Sequence, residues 1–304
     1  MTALSAPAPV PAATARPRLT RWLLRLHRPA LYVWAGLVLV AAALLLLLHG
    51  PLTDAAADAW RQYDSCTDWQ RCTYDQNAIL RYKDWYNYAT LAVATVPLLA
   101  AAWAGGAFGK ELESGTARLA WTQSSTPVRW LAVRLAIPAA AVAAGTALLV
   151  WLHHLAWAAG NGRVDTAKQW YDVWTFHTNG PTLVALALCG LTAGALTGLL
   201  SRRTLPGLGL GLLVTGVLWA VAQLLLPHLW PTRTAGGKAF FALPNSSWTV
   251  RTGKHADVAY GDYHPASHYW PLQLTTTVLL LAVTALLTLG CFLALRRLTG
   301  KTTA

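Results

Sequence analysis

Glu111, Glu113, Gly115, Thr116 and Arg118 are the residues best placed to form a functional site. They fall in the run Phe108–Trp130, which carries the only two glutamates of the 304-residue chain. Carboxylates and a cation close together on a short polar segment suit a charge-matched contact with another protein. A glycine among them lets a backbone turn or approach closely. The run reads as a mixed-charge helical piece of about two to three turns, and Thr126-Pro127 then supplies an N-cap with proline at the first helical position. The plain alternative is a solvated loop whose charges only fix topology.

The other polar groups carry less. Cys66 and Cys72 lie in a segment whose spacing permits a bridge wherever the redox poise is oxidising, and two free thiols are the other reading. His255, Asp257, Asp262, His264 and His268 include no tight ligand pair, so no metal is expected there. An aromatic-anchored lid, with Trp230, Tyr269 and Trp270 at interface depth, is the expectation for residues 227–270. His153-His154 has no acidic residue within an apolar stretch to pair with, which points to polar placement at an interface rather than a proton relay. Gly300-Lys301-Thr302 resembles the end of a phosphate-binding loop, but the earlier glycine such a loop requires falls at Leu295. No Ser, Thr or His shows a recognised catalytic spacing, so no catalytic residue and no cofactor bound by this chain is expected.

The elements that must hold these residues are membrane helices. Six stretches carry no Lys, Arg, Asp or Glu: Pro29–Leu48, Tyr88–Phe108, Leu135–Leu152, Thr178–Leu200, Leu205–Leu226 and Pro271–Leu295. Each is near or above the ~20 apolar residues that cross a bilayer as a helix. Lipid excludes open strand edges, and the alternating pattern of a barrel is missing. The fold class expected is therefore all-α: a polytopic membrane protein with six transmembrane helices.

Charge sorts by side. With the N-terminus in the cytoplasm, the inner segments hold fourteen of the 24 Lys and Arg, with only Glu111 and Glu113 opposing them. All ten Asp fall in the outer loops, beside ten basic residues. Both termini are accordingly expected in the cytoplasm. The net charge of +12 then needs no nucleic-acid partner, since topology and attraction to anionic lipid account for it. Leu19, Trp22, Leu23 and Leu26 recur at helical spacing, with Arg18, Arg21, Arg25 and Arg28 on another face, which predicts an N-terminal interfacial amphipathic helix. Residues 1–17 are Ala/Pro-rich and read as a disordered cytoplasmic tail, leaving 18–304 as a single six-helix membrane domain. Ala57-Asp58-Ala59 resembles a signal cleavage site, but the Ala30–Leu48 run exceeds the ~7–15 residues of a signal peptide, so an uncleaved first span is expected.

One resemblance joins these features. Glu113-x-Gly115-Thr116, then Leu119, then Ser124-Ser125-Thr126-Pro127-x-Arg129 resembles the cytoplasmic loop of type-2 ATP-binding-cassette (ABC) exporter permeases. The six-span layout, the interfacial helix and the long last outer loop are similar too. Many members carry a Lys a few residues further on, a place taken here by Arg134. The resemblance implies a permease subunit of an ABC exporter in the plasma membrane. ATP and Mg would then be bound by a separate cytoplasmic ATP-binding subunit, docked at Glu111, Glu113, Gly115, Thr116 and Arg118. A second permease copy, identical or related, would complete the pathway. Spans without charge suit an amphipathic or hydrophobic substrate. From other classes, a membrane-embedded enzyme and a non-transporting sensor or scaffold are the alternatives.

Overall fold

The computed structural model describes residues 19–67, 73–123, 126–164, 167–255 and 258–300, with side chains from residue 28 onward apart from that of Gln123. The Ala/Pro-rich segment 1–17, Cys72 and Asp257 lie outside the described residues. Six helical stretches are long and apolar enough to cross a membrane: Arg28–Asp64, Gln76–Glu113, Pro127–Gly160, Thr182–Ser201, Thr204–His228 and Ala266–Gly300. They match the six charge-free stretches one for one.

The first stretch is α1 (Leu19–Leu47), a π-helical turn (Leu48–Leu52) and α2 (Thr53–Asp64). The basic amphipathic segment runs straight into the first span, with Pro29 inside the helix. The π turn falls at Gly50-Pro51, where proline supplies no backbone donor. There the Thr53 hydroxyl donates to the Leu48 carbonyl at 2.5 Å. Along the span, Trp34 Nε1 donates to the Ala141 carbonyl at 3.0 Å, fixing α1 on the third span.

The second stretch is α3 (Gln76–Ala94) and α4 (Val96–Glu113), parted by Thr95 alone, with Pro97 in the first turn of α4. Then come α5 (Thr116–Gln123), α6 (Pro127–Gly160), α7 (Val173–Thr178), α8 (Thr182–Ser201) and α9 (Thr204–Leu225). Helix α8 is the most enclosed of the six spans. Small residues let its neighbours close in: a Cβ at Gly194 would run into the Ala101 carbonyl of α4, and one at Gly105 would sit 2.5 Å from the Gly207 carbonyl oxygen of α9. Without a hydrophobic drive between helices in lipid, such backbone approach is what packs them. Thr197 of α8 also donates to the Gly207 carbonyl at 2.9 Å.

The chain ends in β1 (Arg233–Gly236), α10 (Lys238–Phe241), β2 (Trp248–His255), β3 (Val258–His264) and α11 (Tyr269–Gly300). The strands form a small antiparallel sheet in the order β1-β3-β2, with a bulge between Thr249 and Arg251. This is the segment expected to form an aromatic-anchored lid, and the sheet is its unforeseen frame. Aromatic packing fixes it to the bundle: the Trp170 ring lies 6.1 Å from Trp248, 6.0 Å from Tyr269 and 6.4 Å from Phe176. Trp170 Nε1 donates to the Ser246 carbonyl at 2.7 Å, and Tyr171 Oη to that of Asn245 at 3.1 Å.

Candidate docking site

Helix α5 sits at the basic end of the bundle, and its sequence gives it two faces. Ala117, Ala120 and Trp121 fall at i, i+3 and i+4 and pack onto the core. The Trp121 ring meets Trp130 edge-on at 5.5 Å, and Trp130 meets Phe108 the same way at 5.7 Å. Arg118, Leu119 and Thr122 lie on the other side and are exposed, Leu119 by 58%. At the far end of the segment the Thr126 hydroxyl accepts from the Arg129 backbone N–H at 3.3 Å, so α6 begins at the expected cap.

The turn into α5 is built by its own residues. Gly115 has φ +73°, a left-handed conformation that favours glycine, and open space surrounds the position where a Cβ would stand. The Thr116 hydroxyl donates to the Glu111 carbonyl at 3.3 Å, and the Ser114 and Thr116 hydroxyls lie 3.0 Å apart.

The two glutamates have different partners, Glu111 partly enclosed and Glu113 exposed. Glu111 pairs with Arg134 of α6, whose side chain is only 6% exposed. Trp103, Phe108, Leu135 and Pro138 line the same pocket. A charge so enclosed is costly unless it has a close partner and satisfied hydrogen bonds. Glu113 instead accepts from the Thr204 backbone N–H at 2.9 Å and from its hydroxyl at 2.6 Å. It thereby caps the start of α9 from 91 residues away, filling donor positions that a helix N-terminus leaves open.

Of the five residues, then, Gly115 and Thr116 shape the turn, Arg118 projects from the bare face, and Glu111 and Glu113 join the turn to two different spans. Sequence reading missed the pairings. Thr204 follows Arg202-Arg203, a flank that reads as topology, and Arg134 reads as the replacement for a Lys rather than as the partner of Glu111.

The remaining candidates sit elsewhere. Among the described residues no group of three or more His, Cys, Asp or Glu could hold a metal ion. His264 Nε2 lies 3.1 Å from the Pro227 carbonyl and its Nδ1 3.1 Å from His268 Nδ1. A carbonyl only accepts, so a neutral His264 carries its proton on Nε2 and takes a hydrogen bond from His268. Burial holds His264 below the usual imidazole pKa, partly countered by the Pro227 contact. Asp262 accepts from Thr234 at 2.6 Å. His153 is fully buried, bonded to Thr90 at 2.8 Å and to Asn179.

The sequence profile of the family described as "ABC-2 membrane transporter related" matches residues 35–229, more than half of the chain. No curated protein and no solved structure matches. The matched range runs from the first span to the end of α9, and so includes the α4–α5 turn together with Arg134 and Thr204. With six spans and this match, the chain is a multi-pass membrane permease and belongs to the ABC-2 membrane transporter related family.

Proposed function

We propose that this permease is the membrane subunit of an ABC exporter, driven by ATP and Mg bound to a separate cytoplasmic subunit that docks on α5. One observation carries the reading: α5 is amphipathic, with one face held by Trp121 and Trp130 and the other, bearing Arg118 and Leu119, left bare at the basic end. The basic bias supports a cytoplasmic location for that end and for both termini in a plasma-membrane protein. Gly115 and Thr116 set the angle of α5. Glu111 and Glu113 contribute through their partners, passing a displacement of α5 to α6 through Arg134 and to α9 through Thr204. Two permease copies, identical or related, enclose the pathway. The cargo is amphipathic or hydrophobic, since the central turns of the spans offer no charge for an ion. On the far side, Cys66 and Cys72 form a disulfide.

The test is co-purification of an ABC ATP-binding subunit from the same cells, together with substrate efflux, at equal permease abundance. Arg118→Glu removes a cation from the bare face without touching an ion pair among the described residues, and it should lower both readouts. Gly115→Val forces a left-handed turn onto a branched residue and should lower efflux while leaving membrane insertion intact. Glu113→Lys should act through α9 as well, so its defect exceeds that of Arg118→Glu. Unchanged co-purification and efflux in Arg118→Glu and Gly115→Val would reduce the segment to a topology determinant.

A further inference from the structure

We infer that the basic end of the bundle holds a site for one anionic phospholipid, between the α8–α9 turn and the last turns of α11. A cleft of about 400 Å³ lies there. Leu199, Leu200, Ala294 and Leu298 wall it, and Arg202 and Arg297 flank it from two different elements.

Charge accounting at this end of the chain asks for an outside anion. Neither Arg202 nor Arg297 belongs to an ion pair among the described residues; the pairs there are Arg61–Asp58, Arg134–Glu111 and Arg163–Asp54. The only two acids at the basic end are already engaged, Glu111 by Arg134 and Glu113 by Thr204. Arg202 is also the one non-glycine residue with positive φ among the described residues, at 54°, and this left-handed turn ends α8 beside the cleft. A strained backbone at a charged residue is a reason to look for a ligand there.

The shape selects the ligand. A guanidinium binds phosphate through paired N–H groups, and two of them suit one phosphodiester. Leucines beside the cations suit acyl chains, and exposed Leu200 and Leu293 continue the apolar surface toward the middle of the spans. Both arginines stand where spans end, the depth at which basic pockets meet phospholipid headgroups. Inorganic phosphate shares the headgroup chemistry but makes no use of the leucine walls.

The full-length chain, purified in detergent, would be titrated with phosphatidylglycerol, phosphatidylcholine or inorganic phosphate, and bound lipid counted by native mass spectrometry. The unaltered chain should retain one phosphatidylglycerol, which phosphatidylcholine and phosphate do not displace. Arg202→Asn combined with Arg297→Gln removes both charges while keeping a residue that tolerates the left-handed turn. That pair should bind phosphatidylglycerol about thirtyfold more weakly, as expected for two arginines at an anionic surface. Lys110→Gln combined with Arg129→Gln removes the same charge from the same end outside the cleft, and should change binding little. Should the double variant fail to fold, Arg297→Gln alone, on an exposed helix end, should weaken binding about fivefold. Equal retention by the cleft variants, or equal loss in the Lys110/Arg129 control, would replace the site with diffuse attraction. Displacement by inorganic phosphate would mark a free-anion site and sink the lipid.

Discussion

The two ends of the bundle are closed by different forces. At the basic end a short run of rings, Phe108, Trp130 and Trp121, is joined by two directional polar links, Glu111 with Arg134 and Glu113 with Thr204. At the opposite end the joint is a pile of rings, with Trp170 touching Trp248, Tyr269 and Phe176 while its indole N–H finds a carbonyl. A polar joint is directional and fails as a unit when one partner is removed. An aromatic pile spreads its contribution over many contacts and degrades by degrees. The end proposed to receive a partner is thus the one that adds directional polar links to its ring contacts.

The sharpest way to break that contrast is to strand a charge. Arg134→Ala or Glu111→Ala leaves an enclosed ion without its partner and should cost about 3–5 kcal/mol, whereas Arg134→Met combined with Glu111→Leu should recover most of it. Unfolding by SDS titration measures both, and equal losses in the single and double variants would mean that the pair is not a unit. At the other end, Trp170→Ala should cost about 3 kcal/mol by the same assay, the lower part of the range for a core aromatic, because an open end can partly collapse. A loss much larger than that would make the aromatic joint as brittle as the ionic one.

Acidification should then separate the ends. Burial lowers the folded pKa of His264, so the unfolded chain binds the proton more readily. The contribution of His264 is intact above the unfolded value of about 6.5 and is lost as pH falls below it. Limited proteolysis between pH 7.5 and 5 should open the β1–β3 region first, and His264→Gln should flatten that dependence. Smallest in stability is the proposed Cys66–Cys72 bridge, which closes only a short loop. Unreduced protein should react at neither thiol, and labelling of both would rule the bridge out.

Legibility differed by the range of the interaction. The spans could be read because lipid satisfies no backbone group, so length and apolarity alone mark a crossing helix. Leu205–Leu226 was expected and α9 covers Thr204–Leu225. Thr126-Pro127 was readable for a similar reason, since a cap is local chemistry. Glu113 and Thr204 are 91 residues apart, and no local pattern announces their contact. The three-stranded sheet was hidden by its short strands and by Tyr, His and Asp that read as loop. Helix α2 was hidden by Gly50-Pro51, a pair that ordinarily signals a turn but here continues the helix through one π turn.

The glycine-lined contact of α4 with α8 and α9 has a mechanical meaning. Where backbone meets backbone few side chains are left to flex, so the three helices would move together as a stiff lever. Glu113 ties the end of α4 to α9, and under the proposed docking α5 would be the handle of that lever. A push on α5 would arrive near Gly190 and Pro97, deep in the spans, almost undiminished.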